Sequence, residues 1–463
     1  MRKRILFLGM IGVVTIIGSG CGKQDENQRV YTDSSEPTAV ESEQPESEQP
    51  DEGQTESDLE QTESDAGQTE SDAEQTDTAA QDGESDISIL ELNMEKRNVD
   101  EGVDSSAIEF VANMKIGWNL GNTFDANEDH NRADEMSLES YWCGVVTTKE
   151  MIDAIKAAGF ETVRIPVAWH NHVSDDGSYT ISEAWLNRVQ EVVDYAIDND
   201  MYVIINIHHD NSTSYMYPTR EYIEQSKAYV RSIWSQVAPR FADYDEHLIM
   251  EAMNEPRMVG TNYEWWIDLN SQECVEAIQC INELNQLFVD TVRASGGRNE
   301  DRYLLVPGYD ASLQGATNEY FELPQDIGQN QNKILVEVHA YTPYNFALQP
   351  PNEGGSTDQW SKDSAASISE INSMMDTLYE QYVRHGVGVV IDEFGARDKG
   401  GNIQARTDYA TYYIAAARAR GITCCWWDNN CFDGGGERFG IFDRKECRIV
   451  YPELVEGMMK YCE

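Results

Sequence analysis

Polar and apolar positions along the chain fall into two regimes that meet near residue 105. From Ser105 onward, short apolar runs rich in β-branched residues alternate with longer amphipathic segments. The runs are Lys115 to Leu120, Glu161 to Val167, Met201 to His208, His247 to Met253, Tyr303 to Pro307, Ile334 to His339, Val387 to Ile391 and Ile422 to Trp427. Between most of them lie Thr148 to Ala158, Glu183 to Asn199, Arg220 to Phe241, Cys274 to Ala294, Ser369 to Arg384 and Gln404 to Arg420, where apolar residues recur at the helical period. Strands that are apolar on both faces and alternate with helices belong to a parallel sheet covered by helices. About eight such units in roughly 350 residues predict an α/β fold, a (β/α)8 TIM barrel over 105–463, rather than an open doubly wound sheet. No GxGxxG or Walker loop follows the first run, which argues against a nucleotide site.

The chain before Ser105 reads differently. Residues 21–104 are dominated by Glu, Ser, Gln, Asp, Thr and Pro, and such a segment buries too little apolar surface to offset the entropy of ordering. QTESD recurs at Gln54, Gln61 and Gln68, but without apolar a and d positions, so the repeat predicts a disordered acidic linker and not a coiled coil. Residues 1–20 have a basic end, Met1 to Arg4, and an apolar stretch, Ile5 to Ile17, of export-signal length. The following Gly18-Ser-Gly-Cys21 resembles a bacterial lipobox, with Gly18 standing where that motif usually has an aliphatic residue. The resemblance implies lipidation of Cys21 and an exported, membrane-anchored cell-surface protein, with ordinary secretion as the alternative. The other eight of the nine cysteines permit disulfides in such a compartment, with no pairing deducible, and none has zinc-site spacing.

A formal net charge of −49 over 463 residues argues against nucleic acid or an anionic lipid surface as partner and leaves a neutral substrate as the easier one.

In a barrel of this kind the site is built where strands end. Polar residues concentrate there: Asn122 after the first run, Arg164 in the second, His208 and His209 at the end of the third, Asn254 and Glu255 after the fourth, His339 and Tyr341 after the sixth, Glu393 after the seventh, and Trp426 with Trp427 at the eighth. Two carboxyl groups about 5 to 5.5 Å apart suit double-displacement glycoside hydrolysis. Arg164 and Tyr341 are available to keep one of them ionised, which favours Glu393 as nucleophile and leaves Glu255 as acid/base. Neighbouring strand residues point opposite ways, so one tryptophan of the pair can be core while the other stacks on a sugar. A metal site of His208, His209 and His339 with Asp392 would leave both glutamates and the tryptophans without a task, so no metal is expected.

These residues lie in motifs that together resemble glycoside hydrolase family 5, and most of all its bacterial endo-β-1,4-glucanases: GWNLGNTFDA from Gly117, VRIPV from Val163, NIHHD from Asn206, MNEP from Met253, VHAY from Val338, IDEFG from Ile391 and WWDNN from Trp426. The resemblance spans essentially all of 105–463. It implies the barrel, retaining hydrolysis of β-1,4-glycans without a cofactor, Glu255 as acid/base and Glu393 as nucleophile. Arg164, His208, Asn254, His339 and Tyr341 map onto the family's supporting residues. The sugar-stacking aromatic maps to the Trp pair, with Trp427 favoured, and Asn122 and His209 are expected to line the cleft. The expectation is a monomeric endoglucanase acting on cellulose or a related β-glucan. Xyloglucan, mixed-linkage glucan, xylan and mannan remain as alternative substrates, and a non-catalytic carbohydrate-binding lipoprotein as the alternative of another class.

Overall fold

The computed structural model describes residues 94–128, 134–327, 332–434 and 436–462; the expected signal segment, Cys21 and the expected linker as far as residue 93 lie outside them. Eight strands pair in sequence order and close into a barrel. They are β1 (Ile116–Asn119), β2 (Thr162–Ile165), β3 (Tyr202–Ile205), β4 (Leu248–Glu251), β5 (Leu304–Pro307), β6 (Ile334–His339), β7 (Val389–Phe394) and β8 (Thr423–Trp426). All neighbouring pairs are parallel, β8 returning to β1 through Gly117 and Cys425. The (β/α)8 fold expected from the alternating pattern is the fold of the chain.

Period-two alternation sorts each strand. Outward residues such as Val163, Ile165, Val203 and Met250 join the large core under the helices. The helix Gln272–Ala294 meets that core with Ile278, Ile281, Leu284, Phe288 and Val292, spaced three and four apart on one face. Inward residues Ile204, Ile249, Leu305, Leu335, Val390 and Cys425 form a separate small cluster with Phe110, Val111 and Met114 of the helix Ser106–Asn113. Phe110 stacks on Tyr303 at 3.6 Å and meets Tyr202 edge-on, so this helix closes the end where the strands begin. At Gly117 a Cβ would stand 2.2 Å from Cys425 Sγ, and only glycine fits that layer.

Two residues further along the strands the inward positions become polar: Asn119, Arg164, Asn206, Glu251, Glu337 and Asp392, all fully buried. This layer is the floor of the barrel mouth.

Met94 to Asp104, which composition assigns to the linker, lie against the barrel. Arg97 N–H donates to the Ala419 carbonyl and Asp100 N–H to that of Arg384, while Arg97 pairs with Asp376 at 2.7 Å. Apart from Met94, which is buried in the core, these contacts are made by backbone and charges, so a composition-based boundary places the segment outside the domain. Seven cysteines, Cys424 and Cys425 among them, are free thiols.

Candidate active site

Arg164 organises the floor. Its Nε and Nη2 donate to the two oxygens of Glu251, both at 2.7 Å; Nη1 donates to Glu393 Oε1 at 2.7 Å and Asn119 Oδ1 at 3.0 Å; Nη2 also donates to Asn254 Oδ1 at 2.8 Å. A guanidinium has five N–H donors in a fixed fork, and here every one is used. Asn206 donates to Glu251 Oε1 and lies 3.0 Å from His208 Nδ1.

Glu393 belongs to β7 rather than to the loop after it. Between β6 and β7 the register steps from Glu337↔Val390 to His339↔Glu393, and against β8 it steps from Ile391↔Cys424 to Phe394↔Trp426. One extra residue on β7 makes a bulge, which lets Asp392 and Glu393 both face the barrel interior. Tyr341 O–H donates to Glu393 Oε2 at 2.9 Å, so each oxygen of Glu393 has a donor, the arrangement an ionised nucleophile needs.

Glu255 follows β4. An oxygen of Glu255 and one of Glu393 lie within 4.8 Å of each other, with His339 Nδ1 between them, 2.8 Å from Glu255 Oε1 and 3.7 Å from Glu393 Oε2. Arg257 Nη1 is 3.0 Å from Glu255 Oε2. Burial raises the Glu255 carboxyl, but the His339 hydrogen bond and the charges of Arg257, His339 and His209 outweigh it and bring it down to about 2. Burial likewise lowers His339, yet the Glu393 charge, the bond to Glu255 and the nearby Glu337 carboxyl hold it well above the usual imidazole value. The Glu255–His339 pair therefore keeps its shared proton on His339, whereas a general acid must carry it on the carboxyl.

His208 is held neutral: burial, with the charges of His209 and Arg164, takes it well below the usual value. Its ring lies parallel to that of Trp427, 5.9 Å away. His209 reaches the partly open side, 3.9 Å from Asp125 Oδ2 and 5.8 Å from the Trp142 ring. Asn122 has a positive φ of 58° and gives its backbone N–H to Asp125 in the turn after β1.

The tryptophan pair divides. Trp426 is fully buried on the outer side of β8, against Phe394, with its Nε1 on the Phe439 carbonyl. It takes no part in the cleft, as strand alternation requires. Trp427, 8% exposed, lies on the inner side. Its bed is Gly121, where a Cβ would come 2.8 Å from the ring. Asp428 locks this bed by accepting from Trp118 Nε1 and from the N–H groups of Ile441 and Phe442.

Several residues of the site escape a motif-based reading. Glu251, Glu337 and Asp392 sit in the floor; the sequence suggests Asp392 only as a metal ligand, and the only sequence signal of Glu251 and Glu337 is that they share the inward parity of Arg164 and Asn119. Arg257 bridges Glu255 to Asp310 and Glu264, and its guanidinium lies 4.2 Å over the Trp265 ring. Trp265 and its neighbour Trp266, 59% exposed, put two aromatic rings in the loop beyond Glu255, a pairing visible only as WW in a polar loop.

Paired glutamates at the mouth of a closed parallel barrel, one served by Arg and Tyr and the other by His, define a glycoside hydrolase. The family model for cellulase (glycosyl hydrolase family 5) matches residues 124–433, and the chain belongs to that family. Endoglucanase B of Neocallimastix patriciarum is 40% identical over 77% of this chain and 72% of its own length. Endoglucanase A of Ruminococcus albus is 41% identical over 77% of this chain and 93% of its own. Among solved structures, a family 5 lichenase from Caldicellulosiruptor sp. F32, in complex with cellotetraose, superposes with a TM-score of 0.78 at 55% identity, covering 80% of this chain and 98% of that one.

Proposed function

We propose that the chain is a retaining endo-β-1,4-glucanase in which Glu393 is the nucleophile and Glu255 the acid/base. The observation that carries this reading is the closeness of the two carboxyls: an oxygen of each lies within 4.8 Å of the other, in keeping with a retaining pair at about 5 to 5.5 Å rather than an inverting pair at about 6.5 to 9.5 Å. In the first step a Glu393 oxygen bonds to the anomeric carbon as the glycosidic bond breaks. The bonding pair goes to the leaving oxygen, which takes a proton from Glu255. That proton comes to Glu255 Oε1 from His339 Nδ1 across their 2.8 Å contact, leaving His339 neutral. In the second step Glu255, again ionised, takes a proton from water as its oxygen attacks the anomeric carbon and Glu393 departs. Asn254, fixed by Arg164, is placed to donate to a hydroxyl of the reacting sugar, and Trp427 offers the ring face beneath it.

The similarity to a lichenase at 55% identity, above the 40 to 41% of the two endoglucanases, favours mixed-linkage β-glucan alongside cellulose as substrate. A hydrolysis panel of mixed-linkage glucan, cellulose, xyloglucan, xylan and mannan, with NMR of the first-formed product, tests both parts. β-configured product from the glucans is expected; α-configured product, or hydrolysis of xylan or mannan alone, overturns the assignment. The lipobox-like Gly18-Ser-Gly-Cys21 supports a lipid-anchored, exported location. Cys21→Ala is expected to free the protein from the membrane fraction, and retention there would contradict lipid anchoring.

A further inference from the structure

Two buried acids stand outside this chemistry, Glu337 on β6 and Asp392 on β7. Both are fully buried, and none of their four carboxyl oxygens accepts a hydrogen bond among the described residues. The donors nearby are already committed. Asp392 Oδ2 is 3.2 Å from Arg164 Nε, but that N–H goes to Glu251 Oε2 at 2.7 Å, and the other four go to Glu251, Glu393, Asn119 and Asn254. His339 Nδ1 is occupied by Glu255, and its Nε2 stands at the long distances of 3.4 Å from Glu337 Oε1 and 3.5 Å from Asp392 Oδ1. One oxygen of Glu337 and one of Asp392 lie within 4.8 Å of each other.

Charge balance points the same way. Glu251, Glu255, Glu337, Asp392 and Glu393 bring five carboxyl groups against three cations, Arg164, Arg257 and His339. With all five ionised, at least two negative charges would be left without a partner, which a protein avoids by keeping protons on the groups.

We propose that Glu337 and Asp392 are a neutral, proton-bearing pair that positions the two catalytic glutamates by leaving Arg164 to Glu393 and His339 to Glu255. The proposal rests on the roles given to Glu255 and Glu393 above. Neither acid touches substrate; both act through the cations. Burial, reinforced by the Glu251 charge, pushes each carboxyl well above its usual range, against the pull of Arg164 on Asp392 and of His339 on both.

When alkali removes a proton from the pair, the new anion faces Arg164 from β2, Glu251 from β4, His339 on β6, Glu393 on β7 and the Cys425 thiol from β8. Asn119 of β1 and Asn206 after β3 are uncharged, and β5 has no titratable residue. The anion competes for Arg164 and His339, so glycosylation fails on the alkaline side through loss of positioning.

Glu337→Gln and Asp392→Asn test this, because an amide reproduces a neutral acid in shape and charge. At neutral pH each variant is expected to lose far less than the roughly 10²-fold or more that follows loss of general acid catalysis. The alkaline limb of the glycosylation rate, read with an activated aryl glycoside, moves to higher pH. The infrared spectrum at neutral pH loses a carbonyl band of protonated carboxylic acid in each variant. An unmoved alkaline limb, or a neutral-acid band absent from wild type or untouched by both substitutions, overturns the proposal. If neither variant folds, the infrared titration is run on Asp310→Asn protein, which removes another buried acid raised in the same way. Neutral-acid absorbance that vanishes in step with the alkaline limb supports the pair, and its absence at neutral pH refutes it. The infrared reading needs no turnover, so failure of the glycosidase roles is seen separately, as loss of covalent labelling at Glu393 with the band intact.

Discussion

Gly121→Ala is the smallest change that reaches the sugar platform without touching it chemically. The added Cβ would lie 2.8 Å from Trp427 Cη2, 2.9 Å from Cζ2 and 2.9 Å from the Asp428 carbonyl oxygen. Carbon atoms pack best at about 3.5 to 4.0 Å, so something must give by about 0.7 Å or more. Asp428 cannot yield: its carbonyl accepts from Arg444 and from Gly121 N–H, and its carboxylate accepts from Trp118 and three backbone N–H groups. The indole must therefore tilt. Overpacking of this size typically costs about 1 to 3 kcal/mol, so the barrel is expected to fold with a melting temperature lowered by a few degrees. Misplacement of a positioning group by about 1 Å can cost about 10²-fold in rate, and kcat/KM on soluble mixed-linkage glucan is expected to fall about 10- to 100-fold. Gly354→Ala, where a Cβ meets nothing within 4 Å, serves as the control. Steady-state kinetics and circular dichroism on the three proteins decide the matter. Wild-type kcat/KM in folded Gly121→Ala would refute Trp427 as the platform.

Further expectations follow from the same geometry. Glu255→Ala should cripple polysaccharide hydrolysis by about 10²- to 10⁴-fold while sparing glycosylation by an aryl glycoside with a good leaving group, and azide should restore turnover with a β-glycosyl azide as product; equal loss on both substrates without rescue counts against its role. A chain starting at Ser105 loses two backbone hydrogen bonds and the Arg97–Asp376 and Arg384–Asp100 pairs present in one starting at Met94. At about 0.5 to 1.5 kcal/mol for each hydrogen bond and less for the exposed ion pairs, its melting temperature should drop by several degrees, and equal melting would show that the strap adds nothing. His172, buried against Trp185, is lowered to about 3 by burial and the His170 charge. The unfolded chain then binds a proton below about pH 6.5 that the folded chain refuses, so stability falls as pH drops from there toward 3. His172→Phe should flatten that part of the stability profile, and an unchanged slope in urea titrations would rule this histidine out as a source.

The strands, most helices and the two glutamates were legible because each is a local pattern: a β-branched run, a 3.6-residue period, or a carboxyl at a strand end. Helix limits differ by a few residues, as at Ile223–Arg240 against the expected Arg220 to Phe241. The bulge that keeps Glu393 inside β7 left no mark, since IDEF contains no glycine or proline and the extra residue exists only relative to β6 and β8. Glu251 and Glu337 were missed, and Asp392 considered only as a metal ligand, for a related reason. An acid within an apolar run looks like an interruption until the register places it beside Arg164. Strand alternation allowed one of Trp426 and Trp427 to be core, but which one depends on the β1–β8 pairing of Trp118 with Trp426. The strap from Met94 to Asp104 docks through one core side chain, Met94, and otherwise through backbone and charge, which sequence composition does not register.

The central claim is that Glu393 forms the glycosyl-enzyme, and covalent trapping tests it most directly. A 2-deoxy-2-fluoro cellobioside with a good leaving group slows hydrolysis of the intermediate more than its formation, so the adduct accumulates. Peptide mass spectrometry is predicted to find one fluorocellobiosyl group, on Glu393, with none in Glu393→Ala protein. A label on Glu255 or any other residue, or an enzyme that turns over glucan yet never takes up the label, contradicts the account.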